Sequence, residues 1–161
     1  MIKLIVPMRY IFLDIDGVIA VPQSDPNMMW TLSHACQSKL GRIIEDTSAK
    51  LVISSTWRHE TIHETIEALR DNGFIHTDHI IGVTIKTYDY VDRHRDVRIS
   101  IPRGLEIKHW LDSHANPPYR YVILDDQTDM LYHQKDNFIH TDSSLGLTDD
   151  DVRRAINILM S

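Results

Sequence analysis

The sequence predicts an α/β fold: a three-layer parallel sheet of about five strands with helices on both faces. Two observations carry this reading. Short apolar runs rich in branched residues recur at Tyr10–Leu13, Leu51–Ile53, His79–Val83, Tyr121–Leu124 and Phe138–Ile139, as buried strands do. Between them apolar residues return at helical spacing, so strand and helix alternate.

The first such helix carries Leu32, Cys36, Leu40, Ile43 and Ile44, the second Ile62, Ile66 and Leu69, and the third Ile107, Trp110 and Leu111. A last helix starts at Thr148, where a hydroxyl cap and the acidic triplet Asp149–Asp151 suit the unpaired amides and positive dipole of a helix start. Pro and Gly mark turns at Asn116-Pro117-Pro118, Asn72-Gly73 and Ile101-Pro102-Arg103-Gly104. The stretch from Thr84 to Ile101 is long for a connection, and Val97, Ile99 and Ile101 alternate with polar residues, which predicts a small hairpin insertion around 84–101.

A chain of 161 residues suits one domain, 1–161, and 42% hydrophobic with 25% charged residues is an ordinary globular composition. The apolar start, Met1–Val6, is broken by Pro7 and Arg9 and is too short for a membrane span or a signal segment. The single Cys36 excludes an internal disulfide framework and fits a cytoplasmic protein, not a membrane one. A net charge of −6 argues against bulk electrostatic capture of nucleic acid. Positive charge gathers only between Lys86 and Arg103, where Lys86, Arg93, Arg95, Arg98 and Arg103 outnumber Asp89, Asp92 and Asp96, and Tyr88 and Tyr90 sit in the same stretch.

In parallel sheets ligands collect beyond the carboxyl ends of the strands. Polar residues stand there in this sequence: Asp14 and Asp16 after the first run, Ser54, Ser55 and Thr56 after the second, and Asp125 with Asp126 after the fourth. Arg103 precedes the helix that leads into that fourth run. Carboxylates gathered at one point repel one another, and a hard cation with oxygen ligands, Mg²⁺, is the usual compensation. The Asp-x-Asp spacing sets both carboxylates on one side of an extended chain, so one can attack while the other moves a proton. Gly17 permits a sharp departure after them.

Asp14-Ile15-Asp16-Gly17-Val18 after an apolar strand, a serine after the second and Asp125-Asp126 after a later one resemble the motif pattern of the haloacid dehalogenase (HAD) superfamily. Ser54-Ser-Thr-Trp-Arg58 and Asp125-Asp-Gln-Thr128 are similar to its nucleic-acid end-repair branch, which includes the 3′-phosphatase domains of phage-type polynucleotide kinases. The resemblance implies a Rossmann-like, HAD-like fold and a phosphatase. Asp14 would attack phosphorus and form an aspartyl-phosphate, and Asp16 would be general acid and then base. The metal would be held by Asp14, the carbonyl of Asp16, and Asp125 or Asp126. Ser54 or Ser55 would bind phosphoryl oxygens, and Arg103, with Lys108 as substitute, would neutralise the transferring group. Arg58 would contact the substrate phosphate.

The stretch from Asp16 to Leu51 must also hold the helix Ser33–Ser48, so no large cap domain fits there. An open site suits a bulky phosphate ester, an RNA or DNA end, with nucleotides and other small phosphoesters as the alternative. Two rival readings remain: a non-catalytic phosphate-binding module, and zinc hydrolysis through His59-Glu60-Thr61-Ile62-His63. That motif places two histidines one helical turn apart, but no third ligand follows at the usual offsets.

Overall fold

The computed structural model describes residues 5–23, 30–86, 90–92, 97–99 and 101–161. Five parallel strands form the main sheet: β1 (Met8–Leu13), β4 (Lys50–Ile53), β5 (Ile80–Val83), β8 (Tyr119–Asp125) and β9 (Phe138–His140). Their order is β5-β4-β1-β8-β9, with β1 in the centre. Ile11, Phe12 and Leu13 are wholly buried, because a central strand is covered on both faces and needs apolar side chains on each.

The alternation of β1 divides the core. Ile11 and Leu13 pack with Leu40, Ile43 and Ile44 of α1 (His34–Thr47) and with Val152, Ala155 and Leu159 of α4 (Asp149–Met160). Leu69 of α2 (Ile62–Asp71) joins the same cluster. Tyr10 and Phe12 point the other way, against Ile107, Trp110 and Leu111 of α3 (Arg103–His114). Helices therefore cover both faces.

Ser33 caps α1 through the Cys36 amide, and Ser48 ends it in the left-handed conformation at φ 55. Thr148 and Asp151 form a reciprocal capping box at the start of α4, so the acidic triplet is a helix start. Arg42 of α1 reaches Asp149 of α4 at 2.8 Å.

Two small antiparallel pairs stand outside the main sheet. β2 (Ala20–Pro22) pairs with β3 (Trp30–Leu32) directly after the first motif. β6 (Tyr90–Asp92) pairs with β7 (Val97–Ile99) within the 84–101 stretch. No helix among the described residues is long and apolar enough to cross a membrane.

Candidate active site

β1, β4 and β8 run side by side in parallel, so their carboxyl ends open onto one edge. The parallel register pairs Leu13 with Ile53 on one side and with Leu124 on the other, which brings Asp14, Ser54 and Asp125 level. The backbone ladder continues one step beyond the strands: the Asp14 amide donates to Leu124 O at 3.0 Å and the Ser54 amide to Leu13 O at 3.0 Å. After Asp16 the chain turns sharply. Gly17 takes φ +76, its amide bonds Ala20 O at 2.8 Å, and its carbonyl accepts from the buried Thr141 hydroxyl at 2.7 Å. A Cβ at residue 17 would stand 2.5 Å from Asp126 Oδ2, so glycine is what lets the turn and that carboxylate share the space.

Arg103 is the first residue of α3, and Asp129 fixes that start by accepting from its amide at 2.8 Å. Gly104 lets this end approach closely, since a Cβ there would meet the Leu131 amide at 2.5 Å. The guanidinium Nη1 of Arg103 lies 3.4 Å from Asp14 Oδ1 and 3.3 Å from Asp125 Oδ2.

Carboxylate oxygens of Asp14, Asp125 and Asp126 lie within 4.8 Å of one another, a set that can hold a metal ion. Burial pushes the Asp14 carboxyl up, against Arg103, a hydrogen bond from the Ser55 side chain and one from the Ile15 backbone; Asp126 adds to the rise. Burial also pushes Asp125 up to about 8, and the charges of Asp14 and Asp126 add to it while Arg103 opposes. Asp125 Oδ1 accepts from the Gln127 amide at 2.9 Å, but Oδ2 is buried and has no hydrogen-bond partner among the described residues. An all-oxygen carboxylate set whose buried Oδ2 has a guanidinium charge nearby at 3.3 Å but no formed hydrogen bond among the described residues is the kind of site a hard divalent cation satisfies.

Asp16 sits beside this cluster, not in it. Its Oδ1 accepts from the Trp57 indole at 3.1 Å, and it lines a cleft of about 310 Å³ together with Asp14, Trp30, Thr56, Arg103, Asp126 and Gln127. Of the two serines, Ser55 bonds Asp14 and also accepts from the Trp57 amide at 3.3 Å. The Ser54 hydroxyl is buried and has no hydrogen-bond partner among the described residues.

The remaining expected site residues stand elsewhere. Arg58 is buried and ion-paired to Glu106 at 2.9 Å, with the same nitrogen on the Thr84 hydroxyl, so its guanidinium is not presented to the cleft. Burial lowers the Arg58 pKa and the Glu106 charge opposes that. Lys108 lies away from the cluster, in an i,i+4 pair with Asp112 on α3. The zinc reading fails on geometry: α2 starts at Ile62, so His59 precedes the helix and is not one helical turn from His63. His63 instead faces Glu67 at 3.3 Å from an exposed position. Arg93, Arg95 and Tyr88 lie outside the described residues, as do the side chains of Tyr90 and Arg98.

Sequence reasoning gives no role to Trp30, Trp57, Gln127 or Glu106, whereas Thr56, expected among the polar residues at the strand ends, does line the cleft. For Trp30 the signal was absent, since three-residue strands leave no periodicity to read. Glu106 could have been found, because it stands three residues after Arg103 on the same helix face.

An open parallel sheet whose central strand ends in Asp-x-Asp, with an acidic pair on the neighbouring strand and a helix-borne arginine between them, defines the haloacid dehalogenase class. A family model described as the HAD domain in Swiss Army Knife RNA repair proteins matches residues 10–152, and the chain belongs to that family. Membership implies phosphohydrolase chemistry in a repair-related branch. Among curated proteins no match was found.

Proposed function

We propose that the protein is an Mg²⁺-dependent phosphomonoesterase that acts through an aspartyl-phosphate on Asp14, with nucleic-acid 3′-phosphate ends as its substrate class. The observation that carries this reading is Arg103 Nη1 standing within 3.4 Å of both Asp14 and Asp125 at the carboxyl edge of the sheet, where an attacking carboxylate and a cation for the phosphoryl oxygens meet.

Asp14, Asp125 and Asp126, with the main-chain carbonyl of Asp16, would hold the metal. When bound, Mg²⁺ would relieve the repulsion among these carboxylates and neutralise charge on the phosphoryl oxygens. Asp14 attacks phosphorus through a carboxylate oxygen, forming a P–O bond to the protein as the ester P–O bond breaks. The electron pair goes to the leaving oxygen, which takes a proton from Asp16. In the second half Asp16 accepts a proton from water, the water oxygen bonds phosphorus, and the bond to Asp14 breaks to release inorganic phosphate.

Ser55 orients Asp14 through its hydroxyl, and Arg103 balances charge on the transferring group in a largely dehydrated site. Arg58 holds its place through Glu106 and Thr84. Its charge still acts on Asp14, so it supports the positive field without touching the ester. The lack of room for a large cap and the repair-related family favour a polymer end over an enclosed metabolite.

The test is phosphate release from 3′-phosphorylated, 5′-phosphorylated and cyclic-phosphate oligonucleotides and from mononucleotides, with Asp14→Asn as the blank. Preferential release from 3′ ends in the presence of Mg²⁺ is expected. Release from mononucleotides alone would reassign the substrate, and no Asp14-dependent release from any of them would overturn the enzyme.

A further inference from the structure

Trp57 joins the turn after β4 to both aspartates of the first motif. Its indole Nε1–H donates to Asp16 Oδ1 at 3.1 Å, and its backbone amide donates to the Ser55 hydroxyl at 3.3 Å, which itself bonds Asp14. The ring is half-buried and packs against the main core cluster, so the donor is held from behind. An indole can only donate. With Oδ1 facing that N–H, a proton carried by Asp16 must sit on Oδ2.

We propose that Trp57 is a positioning residue for leaving-group protonation: it fixes the rotamer of Asp16 so that Oδ2 meets the ester oxygen. The proposal rests on Asp16 being the general acid. As the ester P–O bond breaks, the leaving oxygen takes the electron pair and then the proton from Oδ2, and Asp16 becomes a carboxylate. The indole bond then turns from a neutral to a charge-assisted one, which is stronger. Its strengthening as charge develops on Asp16 favours the transition state over the bound substrate. The second half gains from the same contact, because the Asp16 carboxylate is kept in place for the water proton.

Trp57→Phe keeps an aromatic body in the core and removes the donor. The readout is single-turnover release of the leaving group from two esters. In 4-nitrophenyl phosphate the departing phenolate needs no proton. The other is an alkyl phosphate, whichever of a 3′-phosphorylated oligonucleotide or glycerol phosphate the unsubstituted protein hydrolyses, and its alkoxide does need one. Trp57→Phe is expected to slow the alkyl ester about tenfold, and the aryl ester by less than about twofold.

Asp16→Asn should show the same selectivity with a larger loss, and an unchanged thermal midpoint for Trp57→Phe excludes a general packing defect. An equal loss on both esters, or none on either, overturns the positioning role when Asp16→Asn is itself selective. If Asp16→Asn shows no selectivity, or neither alkyl ester is hydrolysed, the general-acid reading falls and the role of Trp57 falls with it.

Discussion

Arg58 and Glu106 form an ion pair of 2.9 Å in which both side chains are only 6% exposed. Glu106 also lies 4.0 Å from Arg103 Nε, so one carboxylate keeps two guanidiniums near the nucleophile. In the sequence Arg58 reads as a phosphate contact. In the fold its charge is committed to α3, and the arginine facing the carboxylate cluster is Arg103.

Removing one member of a buried pair strands the other charge. Glu106→Ala is therefore expected to lower unfolding stability by about 3–5 kcal/mol. The double change Arg58→Met with Glu106→Leu should cost much less, since neither member of the pair is left buried without the other. Urea denaturation of the two variants beside the parent checks this, and a Glu106→Ala protein within about 1 kcal/mol of the parent would contradict the pair's role.

Arg103→Ala removes the side-chain cation that stands within 3.4 Å of both Asp14 and Asp125. Turnover should fall by about 10²–10³-fold with the fold retained. Arg103→Lys should recover only part of this, because an ammonium lacks the planar fork that spans two oxygens. Steady-state kinetics on a common phosphoester measures both.

The Asp125 carboxyl, at about 8, lies above its value in an unfolded chain. The folded protein therefore holds the extra proton. This contribution to stability is fully present below the unfolded pKa near 4 and is lost as pH rises through the folded value. Asp14 is shifted the same way. Without metal, the denaturation midpoint should fall between pH 5 and 8, and Asp125→Asn should flatten the slope. Added Mg²⁺ should raise the midpoint most at the alkaline end, where its ligands are ionised. A midpoint that rises with pH in chelator would contradict the assignment.

Gly17 and Asp126 share a space that a methyl group would fill. Gly17→Ala adds a left-handed backbone penalty of about 1 kcal/mol and displaces the Asp126 carboxylate. Mg²⁺ affinity, measured by titration calorimetry, is expected to drop at least about tenfold. Unchanged affinity would remove Asp126 from the metal set.

How much of this could be read from the chain depends on where regular structure ends. Buried strands and long helices announce themselves by apolar runs and periodicity, so β1, β4, β8, α1 and α4 were legible, and so was the gathering of polar residues at the strand ends. Which of Ser54 and Ser55 bonds Asp14 was not. The β alternation stops at Ile53, and the turn that follows aims Ser55 at Asp14. The H-E-x-x-H spacing taken alone makes His59 helical. Thr61 and Glu64 form a capping box that starts α2 after His59, and that Thr-x-x-Glu signal was present in the sequence. Trp57 meets Asp16, and Glu106 meets Arg58, across long stretches of chain, and no local pattern marks those two contacts.

The proposed chemistry requires a covalent bond between Asp14 and phosphorus. Borohydride added during turnover reduces an aspartyl-phosphate to homoserine, which peptide mass spectrometry locates. Homoserine at residue 14, formed only when substrate is present and absent from Asp14→Asn, is the expected result. A protein that turns over substrate while residue 14 stays unreduced, or that carries the mark at another aspartate, contradicts the account.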